Sequence, residues 1–308
     1  MTKTLAVETF GLTKRFKSAL AVDQIDLQVP MGAICGFLGK NGAGKTTTIK
    51  MLTGMKRPTA GQFAIMGKKE TFGKGIPTVG YLPDVPGFYG YMTGWEFLDL
   101  CARLCKIPES QRKTHVDALL KQVGLYGVKT KVSGYSRGMR QRLGIAQALI
   151  NNPAVVFLDE PISALDPMGR RDIMEIIGGL RDKTSVVLST HILSDVENIC
   201  DHIVIIDKGK IVEQGTLNEI KARFGHKDAV KVAFYTQDDC DKFVAALQEQ
   251  GEFHMREDNL EVVINSPKLS PVDISKLAAK LLTEMDLAFK GLNTLAPSLD
   301  DIFYQVTK

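Results

Sequence analysis

Residues Gly39, Lys40, Asn41, Gly42, Ala43, Gly44, Lys45 and Thr46 spell the pattern G-x-x-x-x-G-K-[ST] directly after the continuously apolar run 33–38. No other stretch restricts the fold so tightly. The pattern works only where a buried strand delivers a glycine-rich turn to the start of a helix. There the backbone N–H groups converge on a phosphate and the helix end adds its positive partial charge. Lys45 then offers a point charge to the outer phosphates, and the Thr46 hydroxyl is a hard oxygen donor suited to Mg²⁺. The chain is therefore expected to be an α/β protein that binds a nucleotide.

A second element supports this. Residues 155–160 are four apolar positions followed by Asp159 and Glu160. In a parallel sheet they place both carboxylates at the carboxyl edge, where the phosphate loop also lies. Asp159 is the expected partner of Mg²⁺, and Glu160 is left to orient or deprotonate an attacking water.

Composition sets the boundaries. A chain of 308 residues exceeds the roughly 100–200 usual for one domain, so two domains are expected. At 44% hydrophobic and 24% charged residues it is ordinary globular protein. The net charge of +4 is spread over scattered basic residues, which excludes nucleic acid as an implied partner. Five cysteines without a CxxC pair give neither a disulfide framework nor a zinc site. The longest apolar runs fall far short of the roughly 18 residues of a spanning helix, and Glu8 interrupts any signal-like start. The expected location is the cytoplasm.

Period-two alternation of Ile25, Leu27 and Val29 predicts a half-buried strand, with Phe63 and Ile65 in another. From about residue 94 to 150 the period becomes helical, with Val116, Leu119, Leu120 and Val123 as one stripe. Buried strands return at 154–158, 185–188 and 203–206, separated by a helix with Ile173, Ile176, Ile177 and Leu180 inside. This alternation indicates a parallel sheet with crossover helices. A hairpin at Lys208 and Gly209 precedes a boundary near Phe224, Gly225 and His226. Beyond it strands at 230–235, 253–255, 261–264 and 287–289, with helices at 239–250 and around Ile274 to Leu281, suit a ferredoxin-like unit. A last helix, with Leu299, Ile302, Phe303 and Val306 on its apolar side, is expected to be capped by Ser298 with Asp301.

Tyr135, Ser136, Arg137, Gly138, Met139, Arg140, Gln141 and Arg142, ahead of the acidic strand, resemble the signature loop of the ATP-binding cassette (ABC) family. Residues 163–166 (Ser-Ala-Leu-Asp) match its D-loop, His191 its switch histidine, and Phe16 the aromatic on which adenine stacks. The resemblance implies a P-loop (RecA-like) parallel-sheet core with an antiparallel β subdomain and a helical subdomain at about 86–151. The cassette would span 1–224, with a small α+β domain at 225–308. It also implies ATP and Mg²⁺ as ligands, with Glu160, His191 and Lys45 catalytic and Thr46 and Asp159 on the metal. Phe16, residues 39–46, Thr47, Asp84, Ser136 and Gly138 would hold nucleotide. Ser136 and Gly138 would act on ATP held by a second nucleotide-binding subunit, the same chain or a related one.

Three positions depart from the family pattern. Asp84 stands where the Q-loop has glutamine, Arg137 where the signature has a second glycine, and Met139 where it often has glutamine. A carboxylate at 84 adds charge near Mg²⁺ and cannot donate as an amide can. The aromatic segment from Pro86 to Tyr91 suits docking of a membrane subunit, and the Tyr-Ser-x-Gly-Met signature resembles the drug and lipid export branch. The expected function is therefore the ATPase subunit of an exporter, docked through separate transmembrane permease subunits to the cytoplasmic face of the membrane. The alternative is a soluble ABC-type ATPase that remodels a target outside the membrane.

Overall fold

The structure, a computed structural model of the chain, describes residues 4–307 except 18, 74, 225–228, 252, 259, 267 and 296–298. Gly225 and His226, read as part of the boundary, and Ser298, read as a helix cap, lie outside the described residues. The chain divides into two compact units, one ending at Leu217 and one beginning at Asn218.

The first unit opens with β1 (Leu5–Phe16), β2 (Ala19–Ile25) and β3 (Gln28–Pro30), antiparallel to one another through β1. Then β4 (Ile34–Leu38) runs into the glycine-rich loop and α1 (Lys45–Leu52), and β5 (Ala60–Ile65) and β6 (Lys68–Glu70) return to the antiparallel layer. After β7 (Val79–Leu82) come the helices α2 (Gly94–Leu104), α3 (Glu109–Gln122) and α4 (Arg137–Leu149). The unit closes with β8 (Val155–Asp159), α5 (Pro167–Gly178), β9 (Ser185–Thr190), α6 (Leu193–Ile199), β10 (His202–Asp207) and β11 (Lys210–Gly215).

The main sheet has the order β11-β10-β4-β9-β8-β7, parallel throughout except for the edge hairpin β10–β11. β4, β8 and β9 are buried at every position, as a sheet covered on both faces requires. One core joins this sheet to α1 and the antiparallel layer: Phe37, Phe157 and Val187 meet Ile49, Met51, Leu12, Val22 and Phe63.

Helix starts follow local chemistry. Thr93 and Glu96 form a full capping box at α2, Ser136 caps α4, and Asp166 caps α5 with Pro167 in its first turn.

Ile25, Leu27 and Val29 do not form one strand. β2 ends at Ile25 and β3 begins at Gln28, each paired with a different part of β1. The Thr9 hydroxyl sits in the break, donating to Ile25 O at 2.7 Å and accepting from Leu27 N at 2.7 Å. The alternating burial survives because a buried side chain supplies the hydrogen bonds that the ladder loses there.

In the second unit α7 (Leu217–Phe224), which starts at the junction, leads to β12 (Ala229–Phe234), α8 (Gln237–Glu249), β13 (His254–Asp258), β14 (Glu261–Asn265), α9 (Pro271–Glu284), β15 (Phe289–Leu295) and α10 (Leu299–Val306). The sheet order β13-β14-β12-β15, antiparallel throughout, is that of the ferredoxin-like split βαβ. Val230, Val232, Phe234, Phe243, Leu247, Ile274 and Ala278 form a core of its own. The strand read at 287–289 instead runs from Phe289 to Leu295, because pairing along β12 from Phe234 to Ala229 sets its extent.

Candidate active site

Sheet order puts the carboxyl ends of β4, β9 and β8 side by side. Three segments distant in sequence therefore share one edge: the loop after β4, the acids ending β8 and the residues after β9. Gly44 adopts φ +113°, and a Cβ there would lie 2.7 Å from Ala21 O, so only glycine lets the loop turn into α1. A Cβ on Gly39 would lie 2.5 Å from Ile206 O. No side chain caps the start of α1, so its first N–H groups are left facing the loop.

Lys45 is buried at 6% exposure. Its ammonium donates to Gly39 O at 2.6 Å and pairs with Glu160 Oε1 at 3.2 Å. The other Glu160 oxygen meets His191 Nδ1 at 2.9 Å, which requires the proton on Nδ1, since a carboxylate only accepts. Glu160 itself has φ +50°, an uncommon conformation for a side chain of this size, and its N–H donates to Ser189 Oγ at 2.9 Å and to Ser189 O at 3.1 Å. Two hydroxyls converge on Asp159 Oδ1: Thr46 at 3.1 Å and Ser189 at 2.7 Å. Burial pushes the Asp159 carboxyl above the usual range, these two bonds pull it back, and the charges of Glu160 and Asp84 add to the rise. Burial first, and then the charges of Asp159 and Asp84, push the Tyr81 phenol up to about 12.

Lys45, Thr46, Asp159, Glu160 and His191 thus form one connected cluster. Ser189, to which the sequence reading gave no role, is its hub. Gly39 and Lys40 join it through their backbone oxygens, which accept from Lys45 at 2.6 and 3.5 Å, while Phe16, Ser136, Gly138 and Asp84 lie outside it. Phe16 is half-exposed, with the Lys14 and Lys56 ammoniums 5.1 and 4.6 Å from its ring centroid. Ser136 caps α4 by accepting from Met139 N at 3.2 Å, and Gly138 follows in the first turn. Among the described residues no hydrogen bond or ion pair joins Ser136 or Gly138 to the cluster. Asp84 is exposed just after β7; its Oδ1 accepts from Ser163 Oγ at 3.0 Å and its backbone O from Gln141 Nε2 at 3.1 Å.

The donor set at the cluster fits Mg²⁺. Thr46 Oγ1 and Asp159 Oδ1 are hard oxygens at hydrogen-bond separation, a pair that supplies part of an octahedral shell and leaves the rest to phosphate and water. Among the described residues no group of three or more acidic, histidine or cysteine side chains forms a metal cage.

A glycine-built anion loop after a central strand of a parallel sheet, with two acids at the end of β8 on the same edge, defines a P-loop nucleotide hydrolase. Comparison with known proteins narrows the class. Residues 22–163 match the ABC transporter family model. The chain is 33% identical over 310 residues to the uncharacterized ABC transporter ATP-binding protein YxlF of Bacillus subtilis, covering 98% of this chain and 99% of that one. It is 38% identical over 306 residues to the bacitracin transport ATP-binding protein BcrA of Enterococcus faecalis, covering 96% and 94%. A solved ATP-binding subunit of an ABC transporter superposes with a TM-score of 0.63 at 30% identity, over 72% of this chain and 94% of that chain. The chain belongs to the ABC transporter family, as the ATP-binding, ATP-hydrolysing subunit of a transporter.

Proposed function

We propose that the chain powers an exporter by closing head to tail on a second nucleotide-binding subunit with ATP between them, docked on separate permease subunits at the cytoplasmic face of the membrane. One observation carries this reading: the phosphate loop, both acids and His191 are connected to one another, while Ser136 and Gly138 form a separate helix start. A second copy, or a related subunit, supplies the complementary half. Relatives named for bacitracin transport and the Tyr-Ser-x-Gly-Met signature support an export role.

Each residue then has a task. The N–H groups of residues 39–44, the start of α1 and Thr47 hold the phosphates, and Lys45 exchanges Glu160 for them. Thr46 and Asp159 would hold Mg²⁺, whose chemistry when bound would be to neutralise phosphate charge. Glu160, released from Lys45, accepts the proton of the attacking water, and His191 orients it through Nδ1–H. Phe16 stacks on the adenine ring. Ser136 and Gly138 of the opposite subunit donate to the γ-phosphate.

The test is the full chain carrying Glu160→Gln. Hydrolysis is expected to fall by about 10²–10⁴-fold, the usual contribution of a general base, with ATP binding kept and dimers accumulating by light scattering. A variant that hydrolyses normally, or stays monomeric at saturating ATP, would sink the reading. Recovery of a multi-spanning protein with the tagged variant from detergent-solubilised membranes is expected; recovery of soluble partners alone would favour the remodelling alternative.

A further inference from the structure

Two of this chain's unusual residues meet at a third. Arg137 Nη2 donates to Ser163 Oγ at 3.4 Å, and the same hydroxyl donates to Asp84 Oδ1 at 3.0 Å. The direction is forced, because guanidinium only donates and a carboxylate only accepts, so a hydroxyl, with one proton and two lone pairs, is the group that can stand between them. Each member alone runs against local chemistry. Arg137 is a cation in the first turn of α4, where the helix dipole disfavours positive charge. Asp84 adds negative charge beside Asp159 and Tyr81. The bridge sets each charge against the other.

Ser163 is also tied to the hydrolytic acid. Its N–H donates to Glu160 O at 3.1 Å, closing a tight turn flanked by Glu160 at φ +50° and Ala164 at φ +52°. From the other side, Gln141 of α4, 1% exposed, donates to the backbone oxygen of Asp84. α4 therefore holds Asp84 at two points, one at its backbone and one through Ser163.

We propose that Ser163 is a positioning residue whose hydroxyl, bridging Arg137 and Asp84, couples the first turn of α4 to the turn that aims Glu160. The bridge stands in this chain where the family pattern has a neutral glutamine and a glycine. It makes Asp84 and Arg137 a matched pair instead of two independent departures. The proposal rests on the catalytic assignment of Glu160 made above.

The experiment measures steady-state ATP hydrolysis by the purified full chain carrying Ser163→Ala, Ser163→Thr, Arg137→Ala and the Ser163→Ala/Arg137→Ala pair. Ser163→Ala is expected to lower kcat about 5–20-fold with KM within twofold, the scale of losing one hydrogen bond and leaving its partner unpaired. Ser163→Thr, which keeps the hydroxyl, should recover most of it. The double variant should be no slower than Ser163→Ala alone, since both break one bridge. Hydrogen exchange read on the same proteins should show residues 160–166 loosened by Arg137→Ala and not by Ser163→Thr. Multiplicative losses, an unchanged kcat, or a loss confined to KM would overturn the coupling. A Glu160→Gln chain that still turns over would instead refute the catalytic assignment, which separates the two failures.

Discussion

Asp159 accepts two hydroxyl protons on one buried oxygen while a second acid sits next to it in sequence. Its folded-state carboxyl titrates above the unfolded one, so the folded chain holds the proton longer. Stability is then fully present below the unfolded pKa, near 3.9 for a free Asp, and is lost as pH rises through the folded value. Asp159→Asn keeps the accepting oxygen and removes the charge. It is expected to melt a few degrees higher than wild type without nucleotide at pH 7, with the difference shrinking as pH is lowered toward 4. It should also lose Mg-dependent ATP hydrolysis. Calorimetry across that range checks the first expectation, and a variant less stable at pH 7 would refute it. At this scale the sequence was most legible where a motif has fixed spacing from a strand end: Lys45, Thr46, Asp159 and Glu160 come together at one sheet edge. Ser189 and Gln141 were not, because their work lies in bonds to residues 30 and 57 positions away, and those partners appear only once strands and helix are assembled.

Helix α4 shows how one element carries structure and chemistry on the same residue. Ser136 caps it, and under the proposed function the same hydroxyl meets a phosphate from the other subunit. Two substitutions separate these roles. Ser136→Ala should cost about 1 kcal/mol of stability through the lost cap and also slow turnover. Ser136→Asp should keep the cap and suit the helix dipole, leaving the melting temperature near wild type, yet repel phosphate and abolish ATP-driven dimers. If the aspartate variant dimerises with ATP as wild type does, Ser136 does not face phosphate. Buried strands such as β4, β8 and β9 could be read as unbroken apolar runs bounded by polar residues. β15 could not, because a half-exposed strand is delimited by its partner and not by its own period.

For the molecule as a whole, the unit beginning at Asn218 has its own hydrophobic core and a complete four-stranded sheet. Residues 218–308 expressed alone are expected to melt cooperatively and give dispersed amide resonances. A molten species would mean that this core depends on the rest of the chain. The Lys45–Glu160 pair also has a consequence for ATP binding. The lysine of the phosphate loop is already paired with a carboxylate, under the proposed function the enzyme's own base, so the chain carries a tethered competitor for the substrate's phosphates. ATP must displace it. Neutralising the competitor by Glu160→Gln should therefore tighten ATP binding measured before any turnover, and the gain should fade as salt screens the pair in the wild type. Under the proposed function, a base held on the phosphate loop's own lysine is kept from activating water until a phosphate has arrived.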